Sequence, residues 1–439
     1  MIRFILLLLI AAGIAAAALY AGAERAKLQV AEGMGPNPAL PEPNTSFIPT
    51  INVAKADPWG AGEAPTPADG LKANLFAGGL DHPRWLYVLP NGDVLVAETN
   101  APARPAAGKG VRAKIQGFFM KRAGARTLSA NRVTLLRDAD HDGAAETKTT
   151  LLQGRNSPFG MALVGSSLYV ADTDAIVRFP YADGATEIAQ PAERVTDLPA
   201  GPRNHHWTKN IVASADGTKL YAAVGSNSNV AEHGMEEEEG RAAIWEVDLA
   251  TGAKRLFATG LRNPVGMAFE PTSQVLWTTV NERDELGSDL VPDYMTSVTD
   301  GGFYGWPYSY YGNHVDTRVE PQNPDLVGRA IVPDYALGPH TASLGLAITS
   351  GAGPTPGLSR GAFVGQHGSW NRNPPSGYKV IFIPFTDGRP SGEAIDVLTG
   401  FLSEDGRARG RPVGVALTQD GSLLVADDVG NRVWRVSAR

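Results

Sequence analysis

The sequence predicts an all-β chain that closes into a six-bladed β-propeller. Three observations carry the prediction: a strand, turn, strand unit recurs six times, Asn-Gly or Asp-Gly pairs sit in several of its turns, and 50 Gly and 32 Pro punctuate short apolar runs. At 43% hydrophobic residues, the 439-residue chain has ample material for a large core.

The units read HPRWLYVLPNGDVLVAE from His82, PFGMALVGSSLYVAD from Pro158 and KNIVASADGTKLYAAV from Lys209. They continue as PVGMAFEPTSQVLWTTV from Pro264, LGLAITSG with GAFVGQHG from Leu344, and PVGVALTQDGSLLVADD from Pro412. Asn91-Gly92, Asp216-Gly217 and Asp420-Gly421 supply the positive φ that tight hairpins require. Third strands such as AIVRFPY, AAIWEVDL, KVIFIPF and NRVWRVSA extend the hairpins into blades of three to four strands. Residues 71–439 allot about 62 residues to each blade, above the ~40–50 of compact propeller repeats, and the surplus is long loops. These fall after Glu98, Gly225, Asn281 and His367, at the ends of second strands, so they open on one face and build a binding surface there.

Ahead of the propeller, Arg3 precedes an uncharged, largely aliphatic run from Phe4 to Leu19, and Ala21-Gly22-Ala23 forms an A-x-A pattern before Glu24. Residues 1–23 therefore read as a signal peptide or an uncleaved N-terminal membrane anchor, which makes the protein exported, periplasmic or held at the inner membrane. Residues 24–70, rich in Pro and Ala, read as a linker or surface arm, and 71–439 as the catalytic propeller.

Composition narrows the function. Net charge is −7 with no basic stripe, which argues against nucleic acid. The absence of Cys excludes disulfides, thiol nucleophiles and Cys-ligated metals. No G-x-G-x-x-G follows a strand, so a nicotinamide fingerprint is missing.

Four groups of residues bear on chemistry. His205 and His206 precede the first strand of the third unit, and in extended chain only one of them can face the propeller axis. Arg155, Arg262 and Arg411 occupy matching positions before blade-starting strands, where they either converge on an anionic ligand or form three separate ion pairs. Asp138, Asp140 and Asp142, followed by Gly143, have the D-x-D-x-D-G spacing of a calcium loop, and equally that of a solvated acidic turn. Asn281 and Glu282, at the head of the Asn281–Glu285 run, offer oxygen ligands to a cation, or sit in a loop held by internal ion pairs. The Glu236–Glu239 run reads as a solvated loop with no role.

On LRNPVGMAF, ERDELG and GGFYGWP the chain resembles the soluble pyrroloquinoline-quinone (PQQ) sugar dehydrogenases, in their L-sorbosone dehydrogenase-like branch, over residues 71–439. The resemblance implies PQQ and Ca²⁺ as cofactors, a sugar or sugar-aldehyde substrate and an external electron acceptor, a quinone or a cytochrome. It implies that His206, in HWTKNIVASADG, is the general base, with His205 where the family has Asp. It implies that Arg262 and Asn263 contact the quinone, with Arg262 polarising its carbonyl, and that Arg155 replaces a family Gln beside a retained Asn156. Arg411 matches one of two cofactor arginines, the other aligning with Val413, and Arg372 stands near a family Lys. The calcium-binding carbonyls of the family fall near Asn281 and Glu282. Two alternatives remain open: a calcium-dependent lactonase using Asn156, Asn263 and Glu282, and a binding propeller without turnover.

Overall fold

The computed structural model of the protein describes residues 24–45, 50–102, 124 and 127–439. The signal or anchor expected over residues 1–23 lies outside the described residues. Among the described residues no helix is long and apolar enough to cross a membrane.

Six antiparallel sheets follow one another in chain order. Blade 1 consists of Pro83–Val88, Val94–Glu98, Arg132–Arg137 and Thr147–Leu152, and blade 2 of Met161–Val164, Ser167–Asp172, Ala175–Pro180 and Glu193–Asp197. Blade 3 is Lys209–Ala213, Lys219–Val224, Ala243–Asp248 and Lys254–Thr259, and blade 4 is Pro264–Phe269, Leu276–Val280, Pro292–Ser297 and Tyr335–Pro339. Ser343–Ser350, Arg360–Gln366, Lys379–Thr386 and Ile395–Thr399 form blade 5. Blade 6 takes Pro412–Leu417, Leu423–Asp427 and Arg432–Ala438 from the C-terminus and Leu71–Gly78 from the start of the domain, which closes the ring. All six sequence units are blade starts, and the chain is the six-bladed propeller that they predict.

Local chemistry explains the regularity. Gly92, Gly217 and Gly421 have φ of 92°, 66° and 79°, so the Asn-Gly and Asp-Gly pairs make the hairpin turns expected of them. The glycine inside the innermost strand has a separate reason. A Cβ on Gly345 would lie 2.1 Å from the Val413 carbonyl oxygen, because inner strands of adjacent blades converge at the axis. The acidic residues that end second strands knit blade edges: Glu98 accepts from Arg132 Nε at 2.9 Å, and Asp427 accepts from the Arg411 amide at 2.8 Å. Apolar side chains fill the spaces between blades; Trp85 of blade 1, for example, packs on Phe159 before blade 2 at a centroid distance of 4.9 Å.

Alternation of strand direction fixes the two faces. First strands begin and second strands end on one face, here termed the upper face, so the long connections 99–131, 225–242, 281–291 and 367–378 all open there. The sequence reading missed one further long connection, 298–334, between the third and fourth strands of blade 4. It starts on the lower face, but Gly302–Phe303 pairs parallel with the outer strand of blade 3 and carries the chain upward. Trp306 then donates its indole N–H to the Asn229 carbonyl at 2.9 Å, which makes GGFYGWP part of the upper wall. Residues 24–45 also lie on this face, with the Lys27 amide on Asp289 at 2.7 Å and the Ala26 amide on the Asn373 carbonyl at 2.8 Å.

Candidate active site on the upper face

The connection from blade 2 to blade 3 carries His206. The ring is half-buried, and its Nδ1 lies 2.9 Å from the Ser226 carbonyl oxygen and 3.0 Å from Ser226 Oγ. A carbonyl only accepts, so Nδ1 carries the proton and the lone pair is on Nε2, which has no hydrogen-bond partner among the described residues. Burial, then the neighbouring His205 ring and the Arg262 charge, lower the pKa well below 6.5, so the imidazole is neutral at neutral pH. His205 stands edge-on to it at 4.6 Å.

The Ser226–Ser228 segment that orients His206 is itself held. Glu238, buried in the middle of the acidic run, accepts from the Asn227 amide at 2.6 Å and from Ser228 Oγ, and Asn227 Oδ1 accepts from the His205 amide at 3.1 Å. This corrects the reading of Glu236–Glu239 as a loop without a role, since one of its four carboxylates supports the segment that orients His206. Arg241, also absent from the sequence reading, donates to Gly225 O at 3.0 Å and Asn204 Oδ1 at 2.8 Å, closing the turn from the other side.

Asn263 shares the site with His206. A Cβ on Gly225 would meet Asn263 Oδ1 at 2.3 Å and His206 Cβ at 2.5 Å, so glycine there lets both side chains close over the strand end. Asn263 Oδ1 is buried and has no donor among the described residues, as expected of a group that serves a ligand.

Arg262 does something other than reach for a quinone carbonyl. It is 2% exposed; Nε donates to Asn229 O at 3.1 Å, Nη1 to Asn281 O at 3.2 Å and Glu282 O at 2.6 Å, and Nη2 to Asn229 Oδ1 at 2.9 Å. Asp284 lies 3.5 Å away. The guanidinium therefore ties three loops together and acts on His206 through its charge.

Arg155 is likewise paired, with Asp172, although its Nε is buried without an acceptor. Asn156 is exposed and donates to Asp174 Oδ1 at 2.8 Å. Arg411 differs: Nη1 reaches only the Gly368 and His367 carbonyls, at 3.3 and 3.4 Å, and its Nε and Nη2 are buried and unpartnered. Beside it lies Arg84, the second missed residue, whose Nη1 donates to Asp428 at 2.7 Å and whose Nε is also orphaned. Asp428 further accepts from His367 Nε2 at 2.9 Å. Burial alone would raise this carboxyl, but the His367, His82 and Arg84 groups around it hold it well below the usual range. The three arginines thus do not converge unpaired on one anion. A different pair, Arg84 with Arg411, presents three buried donors without acceptors, the signature of a seat for a carboxylate.

Two further expectations are corrected. Arg372 is 1% exposed and spends its donors on Ser288 O at 3.0 Å, Pro374 O at 3.0 Å and Leu28 O at 2.9 Å, with Asp289 at 3.4 Å, so that its hydrogen bonds clamp the N-terminal arm. Among the described residues Asn281 and Glu282 are engaged internally: Asn281 Nδ2 donates to Asp293 at 3.1 Å, Glu282 Oε2 is paired with Arg283 at 3.0 Å while its Oε1 is buried without a partner, and both carbonyls accept from Arg262. Two guanidinium groups at that spot repel a cation. Of the three residues of the lactonase reading, Asn156 is paired with Asp174, whereas Asn263 Oδ1 and Glu282 Oε1 are buried without partners among the described residues. The oxygen cluster that does gather is Asp138, Asp140 and Asp142 with Glu146, all within 4.8 Å, between the third and fourth strands of blade 1 and hence on the lower face.

Comparison with known proteins agrees with this architecture. The TrAA12-like family model matches residues 126–298 and 322–439. The chain is 25% identical over 430 residues to a pyrroloquinoline quinone-dependent pyranose dehydrogenase of Coprinopsis cinerea, covering 84% of this chain and 54% of that one. It thus spans about half the length of that relative. The holo form of the PQQ domain of a Coprinopsis cinerea pyranose dehydrogenase superposes with a TM-score of 0.68 at 20% identity, covering 88% of this chain and all 100% of that one. A calcium structure of a Trichoderma reesei family AA12 enzyme gives a TM-score of 0.68 at 19% identity, covering 89% and 99%.

Proposed function

The chain belongs to the TrAA12-like family, and from that premise we propose that it is an exported PQQ-dependent dehydrogenase oxidising an aldose or a sugar aldehyde of the sorbosone or glucose type. The observation that carries the reading is the pairing, on one face, of a neutral His206 with a free Nε2 and an Arg84–Arg411 seat with three unsatisfied donors. PQQ is a tricarboxylate, and such a seat fits it. Arg84 and Arg411 would hold cofactor carboxylates, while Asn263 would offer its Oδ1 to a donor on cofactor or substrate.

Bound PQQ supplies a two-electron acceptor for hydride. The protein supplies the rest. His206 Nε2 accepts the hydroxyl proton of the substrate as the C–H hydride departs from the same carbon, and Ser226 O stabilises the resulting imidazolium through Nδ1–H. Burial, then His205, Arg262 and Arg241, keep the imidazole neutral before the proton arrives. An external acceptor, a quinone or a cytochrome, would take up the electrons. Calcium is assigned to Asp138, Asp140, Asp142 and Glu146, where on the lower face its part is structural.

The test is reconstitution of the purified protein with PQQ, then dye reduction with a panel of aldoses and sugar aldehydes. Sugar-dependent dye reduction that falls at least ~10²-fold in His206→Asn with cofactor retained supports the assignment. Binding of PQQ without turnover of any sugar would refute it. Calcium should raise the melting temperature of the native protein and leave that of Asp140→Asn unchanged.

A further inference from the structure

The turn that carries His206 is gripped by a residue of the neighbouring blade. Thr173 follows the second strand of blade 2, Ser167–Asp172, and is 3% exposed. Its amide donates to the Asn156 carbonyl at 2.9 Å, and Asn156 Nδ2 donates to Asp174 beside it, which fixes Thr173 against the start of its own blade. Thr173 Oγ1 accepts from Asn204 Nδ2 at 2.7 Å and donates to the Trp207 carbonyl at 2.8 Å. One hydroxyl therefore holds both ends of the Asn204–Trp207 turn, and His205 and His206 are the two residues between them.

Two basic side chains complete the circuit. Lys209 Nζ lies 3.2 Å from the same Trp207 carbonyl and 3.5 Å from Asn204 Oδ1, and Arg241 Nη2 donates to that Oδ1 at 2.8 Å. Asn204, Trp207, Lys209 and Arg241 are all buried, so water does not compete for these bonds. Asn204 has a φ of 39°, in the left-handed region that asparagine tolerates, and its side-chain amide is the group that the rest of the circuit grasps. The end of the turn also reaches the carboxylate seat. The Arg84 guanidinium lies 5.9 Å from the centroid of the Trp207 ring, and Phe159 meets that ring edge-on at 6.0 Å.

We infer that Thr173 is a positioning residue for the proposed oxidation: by closing the Asn204–Trp207 turn it sets where His206 stands relative to the Arg84–Arg411 seat. His206 and the Trp207 ring belong to one turn, so a shift of that turn alters the distance from base to seat. A misplacement of about 1 Å between catalytic group and reacting atom costs ~10²-fold in rate, and a turn held at one end has that freedom. The inference rests on His206 being the base of the reaction proposed above.

Thr173→Val keeps the shape of the side chain and removes the hydroxyl, whereas Thr173→Ser keeps the hydroxyl. In the PQQ-reconstituted protein, Thr173→Val should lower kcat about 10- to 100-fold with KM and cofactor affinity near native, and Thr173→Ser should retain most of the rate. Asn204→Gly opens the circuit at its centre, accepts the same φ and should show the same loss. Independently of turnover, histidine-selective ¹⁵N NMR of the cofactor-free protein reads the ring itself, with the His206 signals identified by their absence in His206→Asn. His206 should show a single Nδ1–H tautomer in the native protein and in Thr173→Ser, and an exchanging mixture in Thr173→Val and Asn204→Gly. Native kcat with a single tautomer in both opened variants overturns the inference, as does a Thr173→Ser protein as slow as Thr173→Val. A native protein that binds PQQ and oxidises no sugar refutes the dehydrogenase reading, and the tautomer pattern then decides the role of Thr173 alone.

Discussion

His206 Nδ1 lies 2.9 Å from the carbonyl oxygen of Ser226, and that contact decides which ring nitrogen is available as a base. The acceptor is backbone, so no side-chain substitution at 226 removes it. The handle is the neighbouring ring.

His205 helps to depress the His206 pKa, and His205→Asp exchanges a neighbour that opposes protonation for one that favours it. A base must be unprotonated, so the acid limb of kcat/KM should lie below pH 6.5 in the native enzyme and move to higher pH in His205→Asp. A pH profile of dye reduction checks this. An unmoved limb would separate His206 from the proton transfer.

Arg84→Met and Arg411→Met each remove a charged donor from the carboxylate seat. A hydrogen bond to a charged group is worth about 1.5–3 kcal/mol, so cofactor affinity should fall about 10- to 100-fold in each variant. Titration by absorbance or calorimetry reads this directly. The cost should be less than additive in the double variant, because the two guanidinium groups also repel one another.

Arg372→Ala should behave in the opposite way. It leaves three carbonyls without their donor and removes a cation from Asp289, which keeps the Lys27 and Leu28 amides, at a cost of about 3 kcal/mol in a urea melt. Cofactor affinity of the folded fraction should remain unchanged.

Asp293 is pushed up to about 7 by burial, despite hydrogen bonds from the Glu282 and Ser343 amides and from Asn281 and Thr341. An acid whose folded pKa is raised binds its proton more tightly when folded. Its contribution is complete below about pH 4 and is lost as pH rises towards 7, up to about 4 kcal/mol in all. Asp293→Asn should flatten the fall in melting temperature between about pH 4 and 7.

Much of the fold was legible because the unit repeats. Six blade starts, three hairpin glycines and the polarity of the long connections all follow from local pattern, and His206, Asn263 and Arg411 were placed correctly on the upper face by register. What could not be read was each side chain's partner. The Arg84–Asp428 contact joins residues 344 positions apart, and that of Arg372 with Leu28 spans the same separation. A matching register gave Arg155, Arg262 and Arg411 the same appearance in sequence, while Asp172 neutralises the first, loop carbonyls saturate the second and the third keeps two buried donors free with no carboxylate on them. Glu238 was hidden because one buried carboxylate among four looks like the others until its neighbours are known.

The closing of blade 6 by Leu71–Gly78 has a kinetic side. Trp434 and Leu75 are register partners near opposite ends of the domain, so the ring has no complete sixth sheet until the last strand has been made. Pairing over so long a span closes slowly, and the innermost strands wait for it. A ribosome-bound or translocating chain therefore lacks its finished barrier to proteolysis until Arg432–Ala438 has been made. Truncation by a few residues at Arg432–Ala438 should then prove as damaging to yield as loss of a whole blade.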